Sequence, residues 1–518
     1  MSAAVISVSI TLGIVALGAT VGFLAGVRRK MDLEQWTVGG RGFGAVLMFL
    51  LMAGEVYTTF AFLGASGWAY SRGGPALYVL AYLTLSYVVS FFILPAVWEV
   101  GRKYGMQTQS DFFLRRYGNH YLAGFVCIVG IAAFVPYLQL QLTGIGIIVS
   151  IASFDGISRT WAMAVAVILL IAFVFASGIR AVAWIAVLKD ALMLIVAVAI
   201  GIGVPLIHFG GIGPMFTALA HERPGHLTMP GATANLGHSW FISTVLLTSL
   251  GNYMWPHNFG AAFTAKSADT LRRNAVVMPL YSLTLVLIFI GGFASMLVVP
   301  GLANGDLAML TAVRQTFPPW FVGVIGGAGA LTAIVPAAIF ILSAATLFSK
   351  NFYRPVFAPQ MTDDQVASLA RAAVVILGLI SLVLAIYSSS TLVSLLLTGY
   401  AGITQFFPGV VLGLFWRRVT TSAVFVGLVC GVAVAAFLML SHRDPLFGLS
   451  AGFLALCLNF LLVVFGSLLT PARIADTPNR SEALEPWAGG TVHGRCLHAR
   501  DVSPRNAFFA DMLAPNKH

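Results

Sequence analysis

Lipid makes no hydrogen bond to a charge, so an ionisable side chain inside a long apolar run is where chemistry should first be sought. Glu55 is such a residue, standing in Leu51-Met52-Ala53-Gly54-Glu55-Val56-Tyr57-Thr58-Thr59. Counted from the start of its run it lies roughly 16 Å deep, near the middle of a hydrocarbon core about 30 Å thick. Gly54 before it weakens a helix, and the hydroxyls of Tyr57, Thr58 and Thr59 after it wet one. A helix interrupted here would turn carbonyls and amides towards a cavity, which is an arrangement that binds ions and small solutes. The plainer alternative is a glutamate hydrogen-bonded between helices for packing.

Lys189-Asp190 is a second intramembrane charge pair. Adjacent helical residues point about 100° apart, so the two need not face each other. Lys189 either belongs to a site or snorkels along its apolar stem to the headgroups. Asn252, Trp255, Pro256, His257 and Asn258 make a polar, proline-interrupted patch, and Gln405 with Pro408 makes a weaker one. A lone histidine in a core is usually a satisfied packing residue. The helix breaker and the amides around this one favour a cavity.

The elements that must carry these residues are helices. Apolar residues are 59 % of the 518 and charged ones only 9 %, far below the roughly 25 % charged of soluble domains. Thirteen runs of spanning length fall at about 4–27, 44–70, 74–98, 121–152, 161–177, 182–208, 238–264, 275–298, 320–348, 369–388, 391–416, 421–441 and 446–470. With the N-terminus outside, most of the 29 Lys and Arg residues lie in cytoplasmic connections or the tail. Arg and Lys in short loops resist translocation, so this bias sets the orientation. The expected protein is all-α and polytopic, in a bacterial cytoplasmic membrane, with its C-terminus inside.

The positive-inside bias also explains the net charge of +11, and no nucleic acid is expected as a partner. Arg28-Arg29-Lys30 follows the first apolar run instead of preceding it, so that run reads as a retained helix and not a signal peptide. Cys127, Cys430, Cys457 and Cys496 have no disulfide or zinc spacing. Gly326-Gly327-Ala328-Gly329 follows no strand and precedes no Lys-Ser/Thr, so it reads as close helix packing, not a phosphate loop. No cofactor is expected, nor an enzyme. The chain divides into an extra helix over 1–30, a core over 40–420, two further helices over 421–470, and a polar tail over 471–518 read as disordered.

These segments resemble the sodium:solute symporter family. The resemblance is carried by Trp36-Thr37-Val38-Gly39-Gly40-Arg41 and Leu63-Gly64-Ala65-Ser66-Gly67-Trp68-Ala69-Tyr70. It continues through Asp111-Phe112-Phe113-Leu114-Arg115-Arg116-Tyr117-Gly118, Pro256-His257-Asn258-Phe259, Ala265-Lys266-Ser267 and Gly413-Leu414-Phe415-Trp416-Arg417-Arg418. It implies a ten-helix core of two inverted repeats of five, the LeuT-like fold, with one helix before it and two after. It places the two broken helices at Gly54–Thr58 and Asn252–Asn258. It implies a secondary active transporter that moves a small organic solute with a coupling cation across the bilayer.

One part departs from the family pattern. Counting back from Lys350-Asn351-Phe352-Tyr353 puts Val335-Pro336 where the family has two hydroxyl residues for its coupling sodium, and Thr332 substitutes only if the register shifts. The family's Thr-Asp pair on the fifth core helix is replaced by Ile185-Ala186. Some proton-coupled relatives of the fold place a Lys ammonium near the vacant cation position, and Lys189 could do so here. The coupling cation is therefore expected to be H+ with Na+ as the alternative, near Glu55, Lys189, Gly54, Tyr57 and Thr332; no residue is assigned as a metal ligand. The solute is expected against Gly54, Glu55, Thr58, Thr59, Asn252, Trp255, His257 and Gln405. Ala53-Gly54-Glu55, Leu188-Lys189-Asp190 with Val204-Pro205, and Pro256-His257-Asn258-Phe259 resemble the monocarboxylate permease branch, which implies lactate, pyruvate or a similar acid. Exposed half-helix N-termini favour such an anion. A sodium-coupled symporter for an amino acid is the alternative, and a substrate-sensing membrane receptor is the reading from another class.

Overall fold

The computed structural model describes residues 2–26, 41–387 and 390–470. Trp36 to Gly40 of the family-like motif and the tail from 471 to 518 lie outside the described residues. Among the described residues the structure is helical, with only the isolated bridges Phe43–Ala265 and Leu446–Leu449 in extended pairing.

In chain order the first helices are α1 (Ala3–Gly26), α2 (Ala45–Gly54), α3 (Ala65–Ser71), α4 (Tyr78–Lys103), α5 (Gln109–Tyr117), α6 (His120–Ala152), α7 (Arg159–Val198) and α8 (Val204–Phe209). Next come α9 (Ile212–Glu222), α10 (His238–Gly251), α11 (Pro256–Ala262), α12 (Ala268–Ser282), α13 (Leu285–Val298), α14 (Ala308–Thr316) and α15 (Pro319–Thr346). The chain closes with α16 (Arg354–Phe357), α17 (Asp363–Tyr387), α18 (Leu392–Ile403), α19 (Phe407–Phe415), α20 (Thr421–Leu440) and α21 (Ala451–Leu469).

Ten helical stretches among the described residues are long and apolar enough to cross a bilayer. The runs at 44–70 and 238–264 are each split into two half-helices. Moreover, α7 continues through the junction expected near 177–182 as one helix of 40 residues.

Both splits have local causes. Pro256 has no amide hydrogen and disfavours a helical residue before it, so Trp255 is extended (φ −59°, ψ 130°) and α11 restarts with proline in its first turn. Upstream, α2 ends at Gly54 and the chain rejoins helical structure through a π-turn over Phe60–Gly64 before α3.

Outward faces are apolar, with Leu12, Trp161, Ile195, Leu280, Ile376 and Leu461 exposed, as lipid contact requires. The centre belongs to α15, 83 % of whose apolar window is buried against 17 % for α1. The glycines of α15 make this packing close. A Cβ on Gly327 would stand 2.7 Å from Ile14, and one on Gly323 2.6 Å from the Ser7 carbonyl oxygen. Thr11 then donates to the Gly323 carbonyl at 3.0 Å. The small-residue stripe is therefore the seat of α1.

Candidate functional site

Ending α2 in mid-membrane leaves carbonyls without helical partners, and lipid supplies none. Lys189 of α7 fills that need. Its ammonium donates to the Gly54 carbonyl and, at 2.9 Å, to the Tyr57 carbonyl, and it lies 3.2 Å from Asp190 Oδ1. Two carbonyls accept from the ammonium and one carboxylate faces it, and the lysine is 0 % exposed. A positive charge thus sits at the negative end of a half-helix, where the dipole favours it. The side chain does not run to the headgroups. Beside it Tyr57 packs edge-on to Tyr281 with ring centres 5.6 Å apart, and its hydroxyl pairs with Thr284 at 2.5 Å.

Two cavities lie on the other side of the break. A central chamber of about 570 Å³ is walled by the α2–α3 break with Glu55, Val56 and Thr58, by Tyr82 and Tyr87 of α4, Tyr137 of α6, the Asn252–Asn258 break, Met278 and Tyr400. A vestibule of about 620 Å³ runs past α11 and Ile339–Leu347 to Gln107–Gln109, next to the end of α4 that carries Arg102 and Lys103. Met52, Glu55, His257 and Asn258 line both, so they form the neck between them. At this neck His257 Nε2 is 3.4 Å from Glu55 Oε2. Phe340 and Phe134 hold the imidazole, with ring centres at 4.6 and 5.5 Å.

Away from the vestibule the chamber is sealed by aromatic rings. Trp68, Tyr78 and Trp240 pack together at 5.6–5.9 Å between centres, and Tyr82 continues the series to Tyr400. A loop straps this end: Gly74 N–H donates to the His226 carbonyl at 2.8 Å, and the His226 ring meets the Ala69 carbonyl at 2.9 Å.

At the vestibule mouth Asp111 joins α5 to the end of α15. It accepts from Lys350 Nζ and Asn351 Nδ2, both at 2.7 Å, and from the Gln107 and Thr108 amides. Burial would raise its pKa, but the Lys350 charge and these hydrogen bonds outweigh it and hold the carboxyl below the ordinary range.

Of the residues singled out in the sequence, Glu55, Thr58, Asn252, Trp255 and His257 meet on the chamber wall. Gly54 and Tyr57 face Lys189 through their carbonyls, one layer behind that wall. Three are turned elsewhere. Thr59 donates to Gln141 Oε1 at 2.6 Å against α6, and Thr332 donates to Ala328 of its own helix at 2.9 Å. Gln405 binds the Gly452 carbonyl at 3.2 Å and accepts from Asn459, tying α18–α19 to α21. Neither Lys189 nor Val335 lines the chamber or the vestibule. The polar chamber residues missed in the sequence include five tyrosines: Tyr82, Tyr87, Tyr137, Tyr253 and Tyr400, the last of which donates its hydroxyl to Asn252 Oδ1 at 2.9 Å. The i, i+4 spacing of Tyr78 and Tyr82 was a weak signal for them.

The model of the sodium:solute symporter family matches residues 36–431. The chain is 44 % identical over 483 residues to the uncharacterized symporter YhjB of Bacillus subtilis (strain 168), covering 91 % of this chain and 98 % of that one. It is 27 % identical to a monocarboxylate transport permease protein of Rhizobium johnstonii, covering 88 % and 95 %. Among solved structures, a Na+-coupled sialic acid symporter in a substrate-bound outward-open state matches with a TM-score of 0.75 at 17 % identity, over 90 % of this chain and 98 % of that one. The fold is LeuT-like, with the half-helices α2–α3 and α10–α11 in corresponding places of its two five-helix repeats.

Proposed function

We propose, from the premise that this chain belongs to the sodium:solute symporter family and is a multi-pass solute:cation symporter, not an enzyme, that its cargo is a short monocarboxylate and its coupling cation a proton. The observation that carries this reading is Lys189. In a cation-coupled carrier of this fold a mobile ion would sit against the carbonyls of the first broken helix; here a tethered ammonium takes them. Val335-Pro336 adds no side-chain oxygen, and Thr332 spends its hydroxyl on its own helix. The relative named for monocarboxylate transport supports the cargo class. So does the wall of the chamber, which offers Asn252, Trp255 and His257 to an anion.

The positive-inside bias favours a cytoplasmic Arg102–Lys103 end, and on that orientation the arrangement reads as an inward-facing state. Its vestibule is continuous with the chamber through the Glu55–His257 neck, and the aromatic seal closes the outer side. Alternating access then requires the seal to part and the vestibule to close around the half-helices.

A zwitterionic amino acid carried with sodium is the second reading. It is favoured by the two Glu55 oxygens, which lack hydrogen-bond partners and could take an ammonium.

The test is uptake of labelled L-lactate, pyruvate and L-proline into proteoliposomes, with sodium and pH gradients imposed separately. Lactate or pyruvate should accumulate under an inward proton gradient in sodium-free buffer. Uptake that needs sodium and ignores pH would overturn the proton reading, and accumulation of proline alone would overturn the cargo.

A further inference from the structure

The chamber wall itself holds a carboxylate against a histidine, the arrangement an anionic cargo would need. Glu55 and His257 approach to 3.4 Å with side chains only 12 % and 2 % exposed, and they stand at the neck every cargo must pass. The contact is poorly completed. Neither Glu55 oxygen has a hydrogen-bond partner, nor has His257 Nδ1, nor Trp255 Nε1 on the same wall. Buried polar atoms without partners are uncommon and usually await a ligand or water. The donors are held by packing: Phe134, Tyr137 and Phe340 pack the imidazole, and Tyr137 packs the Trp255 indole at 4.8 Å between centres.

We infer that Glu55 is a tethered stand-in for the cargo's carboxylate, occupying the anion position on His257 while the carrier is empty and giving it up when cargo arrives. This rests on the monocarboxylate reading above. The entering carboxylate accepts from His257 and from the unpartnered Trp255 Nε1–H. Glu55, displaced but still adjacent, takes one proton from the vestibule, because two carboxylates beside one imidazolium do not both stay ionised. The other titratable groups facing the pair do not replace this step. Tyr137 approaches from α6, and Lys189 and Asp190 of α7 already spend their charges on each other and on the Gly54 and Tyr57 carbonyls. From α15 the ring of Phe340 is the neighbour of the imidazole. Empty carrier plus one anion plus one proton gives the loaded state, so the cargo moves with no net charge. The same device fills the anion position when the chamber empties, leaving no imidazolium uncompensated as the carrier returns.

Binding of L-lactate to the purified full-length protein, measured between pH 5.5 and 8, tests this. Wild type should bind more tightly as pH falls. Glu55→Gln removes the internal competitor and the proton site together, so at pH 7.5 it should bind lactate about tenfold more tightly, with the pH dependence flattened. His257→Gln should weaken binding about tenfold. In proteoliposomes, wild-type lactate uptake should ignore an imposed membrane potential. Unfolding cannot imitate a gain of affinity, and Glu55→Ala should show the same gain if the Gln variant is poorly made. Equal or weaker lactate binding by both Glu55 variants overturns the proposal, as does wild-type binding without pH dependence, and either outcome leaves the cargo reading standing. Wild type that binds no lactate at any pH overturns the cargo reading itself, and the proposal with it.

Discussion

An ammonium sealed in a membrane protein needs acceptors and a counter-charge, and Lys189 finds two carbonyls for the first and the next carboxylate for the second. Removing one partner of such a buried pair strands the other, at a cost of about 3–5 kcal/mol, whereas replacing both by apolar residues is often far cheaper. Lys189→Met should therefore destabilise the protein by about that amount in a detergent melt. Lys189→Met with Asp190→Leu should recover part of the loss, because Asp190 is then no longer left charged and unpaired. Additive losses would mean that the two residues do not act as a pair. Adjacent positions in a helix need not face one another, so this pairing could not be read from the sequence, where Lys189 was equally compatible with a snorkelling chain.

At the scale of elements, several helices that line the chamber are short pieces whose ends must be held by something other than their own backbone. Asp306 holds one of them. It sits in the connection between α13 and α14, and its Oδ2 accepts from the Leu392 amide at the start of α18 at 3.1 Å. Its Oδ1 lies against α3, where a Cβ on Gly67 would be 2.8 Å away. Burial pushes its pKa up to about 6, with the Leu392 hydrogen bond opposing. A carboxyl whose folded pKa is raised contributes stability that is complete below the ordinary pKa near 4 and is lost as pH rises through about 6. The closed outer end should thus lose up to about 3 kcal/mol between pH 4 and 8 from this residue. Asp306→Asn keeps an acceptor for Leu392 without the charge, so its melting temperature should fall less over that range than the wild type's. Parallel pH profiles for the two proteins would show that the carboxyl does not titrate there.

For the whole molecule, the inward-facing reading requires that the chamber open to one face and be closed to the other. Both properties can be read by chemical labelling. In a protein whose own cysteines are changed to serine, Thr346→Cys on the vestibule wall should react with a membrane-impermeant maleimide from the Arg102–Lys103 side. Tyr82→Cys should be protected from the opposite side until Trp240→Ala removes the central ring of the seal. Equal labelling of Tyr82→Cys with and without Trp240 would place the barrier elsewhere.

What the sequence determined by itself follows from solvent. Apolar runs of spanning length, a loop charge bias, a glutamate in mid-membrane and a proline inside a polar patch are one-dimensional signals, because water and lipid act on each run as a whole. They sufficed for an all-helical membrane protein, for two helices broken where Gly54 and Pro256 stand, and for Glu55, Asn252, Trp255 and His257 on one wall. Tertiary structure decided the azimuth of every side chain. A rotation of one residue position turns a helical side chain by 100°, and only packing sets that rotation. Hence Thr58 faces the chamber while Thr59 faces Gln141, Gln405 leaves the chamber for α21, five tyrosines enter it, and α7 presents Lys189 to the carbonyls of a helix far from it in the chain.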